Sequence, residues 1–394
     1  MNTVFSDRMR NVPRSFIREI LKDALMPGVI SFAGGLPNRD LFPVKEIQAA
    51  TDTAFARYGS DLLQYSASEG FGPLREWISR RYKERGLDIP ATRILITGGS
   101  QQGLDLLGKI LLNNGDPLII EEPGYLGAIQ AFALYRAKFL PVPVSQRGMD
   151  TDRLDTVLRR EHPKLMYAVP NFQNPSGITY PERNRRDVAR LIEKTATILI
   201  EDDPYGELSF TKKRNTSFQS FLPNRTVLLG SFSKTVAPGL RIGWIAAPEA
   251  MIRPLVIAKQ AADLQTNPFA QCILYQYLSG NNPDAHIARI AEAYGAQKEI
   301  MRKAMLRYFP PGVSSTNPEG GMFLWVTLPQ KIAALDLFEH ALKDKVVFVP
   351  GDPFYIPQSR VTTLRLNYSC VDAVTIETGI KRLGRAMAIL LGDR

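Results

Sequence analysis

Between residues 90 and 250 the chain alternates short apolar runs with longer stretches in which apolar residues recur every three or four positions. The runs at 93–97, 117–121, 165–169, 197–201, 226–231 and 241–246 have strand length and are bounded by turn-forming residues. The stretches at 101–112, 125–135, 151–160 and 181–194 carry a helical pattern. This alternation predicts an α/β fold with a mostly parallel sheet covered on both faces, whose ligands sit beyond the carboxyl ends of the strands. The pattern changes near residue 270. A long helix is expected at 283–308, where Ile287, Ile290, Tyr294, Met301 and Met305 keep close to helical spacing. Strand-like pieces at 322–327, 346–348 and 363–367, with a closing helix at 371–391, predict a second, smaller α+β domain. A helix at 15–25 is expected to lie apart from the main sheet and to join that second domain.

Composition narrows the class. The 394 residues are 44% hydrophobic and 22% charged, enough for a sizeable core and against global disorder. Cys272 and Cys370 are too few for a disulfide scaffold and lack metal-ligand spacing. His162, His286 and His340 lie far from one another and from both cysteines, so no metal centre is expected. Lys and Arg number 49 against 39 Asp and Glu, a formal net charge of +10. The excess is spread out, densest at 80–85, 183–186 and 212–214, with acidic or apolar neighbours close by. It reads as a solvated face that attracts anionic small molecules, not as a nucleic-acid surface. The first residues carry no apolar signal-peptide core, and no run approaches the ~18 apolar residues of a membrane span. A cytoplasmic protein without a membrane partner is expected.

Four polar motifs carry the candidate chemistry. Ser231, Ser233 and Lys234 follow directly on the strand at 226–231. A lysine at a strand end between hydroxyls suits an amine that must form a Schiff base, although a lone lysine there more often reads as a solvated loop residue. Seven positions on, Arg241 can grip an anion in a fork. Gly-Gly-Ser-Gln-Gln-Gly at 98–103 follows a strand and opens a helix, where close backbone approach and free N–H groups favour phosphate. It matches neither a P-loop nor the dinucleotide fingerprint, so an ordinary glycine turn stays open. Asn174, after the strand at 165–169, offers both a donor and an acceptor. Glu201, Asp202 and Asp203 end the strand at 197–201, and a buried sheet edge tolerates three carboxylates only beside cations or donors.

Taken together, Ser-Phe-Ser-Lys and Pro-Gly-Leu-Arg-Ile-Gly-Trp within 231–244, Asn-Pro-Ser-Gly at 174–177 and Asp-Asp-Pro-Tyr at 202–205 are highly specific. With them the chain resembles the fold-type I pyridoxal-phosphate enzymes, the aspartate aminotransferase superfamily, over nearly its whole length. Ile-Ser-Phe-Ala-Gly-Gly-Leu-Pro at 30–37, Gln-Tyr-Ser at 64–66 and Glu-Pro-Gly-Tyr at 122–125 resemble one branch of it. That branch holds 2-aminoadipate and kynurenine aminotransferases and the aminotransferase-like halves of MocR-type regulators. Ser176 stands where the family often has Thr, which keeps the hydroxyl.

The resemblance implies a role for each matching residue. Lys234 would hold pyridoxal 5'-phosphate as a Schiff base, Asp202 would pair with its ring nitrogen, and Asn174 and Tyr205 with its ring oxygen. Tyr125 would stack on the ring. Ser100, Gln101, Ser231, Ser233 and Arg241 would hold the phosphate, joined by Tyr65 from the neighbouring subunit of a homodimer. Arg365 would bind the substrate α-carboxylate, helped by Asn174 and the backbone at Gly35. Residues 1–45 would pack on the small domain and cover the site, 46–280 would form the large cofactor domain, and 281–394 the small one. A carboxylate beside the ring nitrogen keeps it protonated, which the electron sink needs. A freed lysine amine, helped toward neutrality by cations such as Arg241, can carry the α-proton as base and then acid.

The implied activity is transfer of an amino group between an L-amino acid and a 2-oxo acid such as 2-oxoglutarate. The amino acid would be 2-aminoadipate-like, aromatic or branched-chain. A lyase, decarboxylase or racemase would share the same motifs. A MocR-like sensor fits less well, because Gly34 and Gly35 come too early to leave room for a DNA-binding domain. Arg18 either meets a distal substrate carboxylate or faces solvent on the helix at 15–25. Phe16, Ile17, Leu36, Leu41 and Tyr65 could line an apolar pocket.

Overall fold

The computed structural model describes residues 4, 6–9, 20, 22–211, 213–357 and 359–392. Its strands in chain order are β1 (Ile30–Ser31), β2 (Ile94–Thr97), β3 (Pro117–Glu122), β4 (Lys138–Ser145), β5 (Gly148–Met149), β6 (Leu165–Ala168) and β7 (Ile198–Asp202). Then come β8 (Thr226–Ser231), β9 (Gly243–Ala246), β10 (Ser314–Ser315), β11 (Phe323–Thr327), β12 (Val346–Val347), β13 (Val349–Pro350) and β14 (Thr363–Asn367).

Eight strands form the main sheet in the order β2-β9-β8-β7-β6-β3-β4-β5. Pairings from β4 through β3, β6 and β7 to β8 are parallel. The strands read as unbroken apolar runs because helices cover both faces. Leu95, Tyr167, Ile200 and Leu229 pack on one side with Leu104 and Leu107 of the helix Ser100–Leu111. Ile94, Ile96 and Leu228 face the other side with Ile78 of the helix Gly72–Lys83 and Leu274 of the helix Pro268–Gly280. Met166 and Leu199 extend that second face against the helices Thr151–Glu161 and Glu182–Glu193.

Several elements differ from expectation. β9 runs antiparallel to both neighbours. The link from β8 is too short for a crossover, which takes ~12 residues or more, so the chain must turn back. The strand expected from 241 begins at Gly243, because Arg241 sits in the left-handed region at φ 54° after a 3₁₀ turn. A Cβ on Gly243 would lie 2.7 Å from the backbone of Gly99 and Ser100, so no side chain fits there. The helix Glu249–Asp263 carries Pro254 inside it, a residue that reads as a breaker. β4 and β5 and the helices Val44–Tyr58, Gly72–Lys83, Pro268–Gly280 and Ala334–Lys343 add to the expected list.

The remaining sheets lie in the C-terminal part. β10-β11-β14-β13 form an antiparallel sheet, and β1 pairs in parallel with β12. The segment after β1 is bonded to the same region: Asn367 N–H donates to the Phe32 carbonyl at 2.8 Å and Ser369 Oγ to the Leu36 carbonyl at 2.7 Å. Of the helix expected at 15–25, residues 15–19 and 21 lie outside the described residues, while Ile20, Lys22 and Asp23 are helical.

Candidate active site

Five strands deliver side chains to one end of the main sheet. β2 turns at Gly98 and Gly99 into the helix Ser100–Leu111. β3 leads to Tyr125, directly before the helix Leu126–Ala133. β6 leads to Asn174, β7 ends on Asp202, and β8 ends on Ser231 just before Ser233 and Lys234. Because β9 is antiparallel, its start brings Arg241 to the same end. β14 supplies Arg365 and the N-terminal segment supplies Gly35. Twelve of the expected site residues, Gly35, Ser100, Gln101, Tyr125, Asn174, Asp202, Tyr205, Ser231, Ser233, Lys234, Arg241 and Arg365, line one cavity of about 280 Å³. Of the other expected site residues, Tyr65 lies outside this cavity with 78% of its surface exposed. Arg18 lies outside the described residues.

Asp202 is 2% exposed. The Tyr167 hydroxyl donates to its Oδ2 at 2.7 Å, and its Oδ1 is buried without a partner among the described residues. Burial drives its pKa up to about 7; the Tyr167 hydrogen bond opposes this, and Asp203 and Glu121 add to it. The neighbouring carboxylates are engaged. Glu201 accepts from Ser217 Oγ at 2.6 Å and Phe218 N–H at 2.8 Å, and Asp203 from Asn171 Nδ2 at 3.0 Å and Gly206 N–H at 2.8 Å.

Lys234 Nζ donates to the Gly35 carbonyl at 2.7 Å. Its pKa falls to about 8, first through burial and then through the Arg365 and Arg241 guanidiniums. Burial thus outweighs the cations to which the amine's neutrality was first assigned. Arg365 is 2% exposed; its Nη1 donates to Asn174 Oδ1 at 2.7 Å and its Nη2 to the Ala33 carbonyl at 2.6 Å. The guanidinium stands 4.3 Å from the Phe323 ring centroid and 5.5 Å from that of Phe354. Its Nε has no partner among the described residues. At the opposite end Ser231 Oγ donates to Ser233 Oγ at 2.9 Å, and Arg241 Nη2 to the Gly98 carbonyl at 3.1 Å. No side chain caps the helix at Ser100, so its first N–H groups are left for an anion. Gly99 sits at φ 86°, a conformation that favours glycine, and a Cβ there would fall 2.7 Å from Arg241 Nη2, which would have to shift.

Tyr167 is a cavity residue that sequence reasoning missed. It sits inside an apolar run and reads as a core aromatic. Only the pairing of β6 beside β7 reveals that its hydroxyl meets Asp202. Tyr125 lies over it, with ring centroids 6.5 Å apart and planes 24° apart.

Comparison with known proteins identifies the family. The profile of the aminotransferase class I and II family matches residues 28–383. An aromatic-amino-acid aminotransferase of Thermococcus litoralis is 40% identical, covering 97% of this chain and 94% of that protein. A 2-aminoadipate transaminase of Thermus thermophilus is 40% identical, covering 96% and 95%. The crystal structure of an alpha-aminoadipate aminotransferase from Thermus thermophilus, complexed with N-(5'-phosphopyridoxyl)-L-leucine, superposes with a TM-score of 0.92. It is 38% identical and 98% of each chain is covered. The chain belongs to the aminotransferase class I and II family and is a pyridoxal-phosphate-dependent transaminase of fold type I. The lyase and sensor alternatives are not favoured.

The cavity fits that cofactor. The open Oδ1 of Asp202 is an acceptor awaiting a ring N–H, and a cation there would restore the carboxylate. The uncapped helix start beside Ser231, Ser233 and Arg241 suits a phosphate. The Lys234 amine faces the same space.

Proposed function

We propose that this chain moves an amino group between an L-amino acid and a 2-oxo acid such as 2-oxoglutarate, the amino acid being 2-aminoadipate-like, aromatic or branched-chain. The observation that carries the reading is one cavity holding a half-buried amine, a carboxylate with an open oxygen and a buried guanidinium fork. When bound, pyridoxal phosphate supplies an electron sink that weakens the bond to the substrate α-hydrogen.

The protein's own residues do the rest. Asp202, held by Tyr167, would keep a proton on the ring nitrogen, and Asn174 and Tyr205 would pair with the ring oxygen. Tyr125 would cover the ring. Ser100, Gln101, Ser231, Ser233 and Arg241 would hold the phosphate. Arg365 takes the substrate carboxylate, aided by Asn174 and the Gly35 backbone, and so aims the Cα–H bond; positioning of this kind reaches ~7–11 kcal/mol in ideal cases. The Lys234 amine, its pKa brought down to about 8 mainly by burial, would take the α-proton and return it. The apolar Leu36, 51% exposed and next to Gly35, favours the non-polar substrates, while acidic ones would call on Arg18.

Residues 46–280 would act as the cofactor domain, 281–394 as the small domain, and 1–45 as its cover. The site would be completed in a homodimer by Tyr65. Leu63, Tyr65 and Leu264 are exposed apolar side chains on two segments tied together by Ser66 N–H and Gln265 Oε1. No helix among the described residues is long and apolar enough to cross a membrane, and a cytoplasmic location without a membrane or nucleic-acid partner follows from the proposal.

The test is a panel of L-amino acids with 2-oxoglutarate, scored for glutamate formed against amino acid consumed. A one-to-one yield is expected. Consumption without matching glutamate, across the panel, would sink the reading.

A further inference from the structure

Glu201 and Asp202 are neighbours in β7 and therefore point to opposite faces of the main sheet. Asp202 meets Tyr167 in the cofactor cavity. Glu201, paired across from Leu228, lines a second cavity of about 220 Å³ on the other face. This cavity lies between the helix Gly72–Lys83 and the segment that follows β7.

Its walls are aromatic. Phe232 contacts Trp77 at 6.0 Å and Trp244 at 4.8 Å between ring centroids, and Trp244 Nε1–H donates to the Tyr82 hydroxyl at 2.8 Å. Its cations are Arg81, Arg85 and Arg214. These draw together two of the three densest basic groups of the sequence, at 80–85 and 212–214, neither of which the transamination chemistry uses.

The acidic groups facing this space are already engaged. Glu207 pairs with Arg81 at 3.0 Å and with Arg85. Glu201 and Asp203 are satisfied by the Ser217, Phe218, Asn171 and Gly206 donors described above. The cations are less well served. Arg85 Nε is a buried donor with no acceptor among the described residues. Arg214 Nη1 reaches the Glu84 carbonyl only at 3.4 Å. A buried guanidinium N–H without an acceptor is unfavourable, and an anionic oxygen is the acceptor that suits it best.

We propose that this cavity is a second ligand site, which takes a small aromatic carboxylate with its charge on Arg85 and Arg214 and its ring against Trp77 and Phe232. Ser231 and Pro204 line both cavities, so the occupant bears on a wall of the cofactor site without entering it. Trp and Phe faces supply the ring with stacking partners, and an aliphatic carboxylate would lack these contacts.

The experiment is calorimetric titration of the holoenzyme with 3-phenylpropionate, which has no amino or oxo group to react. Because its carboxylate also suits Arg365, the titration is repeated on Arg365→Lys holoenzyme. Two sites per chain are expected in the wild type, and one in Arg365→Lys. Adding Arg85→Gln or Arg214→Gln to that background should weaken the remaining site at least tenfold. In the otherwise wild-type chain the same two substitutions should leave the amino-acid KM and the cofactor absorbance unchanged. Two variants are used because Arg85 pairs with Glu207 and its loss can disturb folding, which the thermal midpoint reports. Absence of binding to Arg365→Lys holoenzyme overturns the proposal, as does unchanged affinity in whichever arginine variant folds.

Discussion

The Tyr167 hydroxyl donates to Asp202 Oδ2 at 2.7 Å while Oδ1 of the same carboxylate is left without a partner. One oxygen is thus anchored and the other is presented to the cavity. Tyr167 lowers the carboxyl pKa against the stronger opposing effect of burial. Tyr167→Phe should therefore raise that pKa further and loosen the carboxylate. A hydrogen bond to a charged group contributes ~1.5–3 kcal/mol, so cofactor affinity should fall roughly 10- to 100-fold. The low-pH limb of cofactor binding should move to higher pH. A merely structural tyrosine would lower stability and leave that limb in place, which a pH series of cofactor titrations distinguishes.

Much of this site was legible in the chain because its parts sit at strand ends. Lys234, Asp202 and Asn174 each follow a short apolar run, and runs of that kind mark where a parallel sheet delivers its ligand groups. What escaped depends on pairing across strands. Tyr167 lies one strand from Asp202 and 35 positions away in sequence, and nothing in its own run marks it as polar-partnered. The direction of β9 escaped too, because an apolar run carries no sign of its polarity. The helix Glu249–Asp263 was hidden by Pro254, although tertiary packing of Leu255 holds the helix together there.

The cofactor-free protein should lose stability as pH rises through the weakly acidic range. Asp202 titrates near 7 when folded against an ordinary value of 3.8. Between those values the folded chain binds more protons than the unfolded one, so stability falls with rising pH, by at most ~1.4 kcal/mol per pH unit for one group. Glu121 and Glu201, also raised to about 7 by burial, contribute with the same sign. Asp202→Asn removes one of these contributions. Its thermal midpoint should fall less steeply than the wild type's from about pH 4.5 to 7. Above that window the two curves should run parallel. Equal slopes throughout would show that Asp202 is not raised.

Arg365 offers its fork from between two rings, with Phe323 the nearer at 4.3 Å. Arg365→Lys keeps the charge and loses the planar fork, which should cost kcat/KM roughly 100-fold, about 3 kcal/mol, with cofactor absorbance retained. Phe323→Leu leaves the guanidinium in place but removes a contact of ~1–2 kcal/mol. Its KM should rise up to about tenfold with a smaller change in kcat, the pattern of weakened ground-state binding. Steady-state kinetics on both variants provide the check. A kcat loss alone in Phe323→Leu would move Phe323 from positioning the carboxylate anchor to the chemical step.

Tyr65 is exposed in the single chain, yet its proposed place is at a phosphate. The two statements agree only if it serves the partner subunit, and mixed dimers test this directly. Tyr65→Ala and Lys234→Ala should each be inactive or nearly so. Unfolded together and refolded at equal amounts, half of the dimers are mixed. In a mixed dimer the intact Lys234 of one chain faces the intact Tyr65 of the other, so one site in two is whole. Activity should then return to about one quarter of the wild-type value. If Tyr65 served its own chain, every site would lack one of the two residues and mixing would restore nothing. A refolded mixture no more active than the sum of its parts would place Tyr65 outside the shared site.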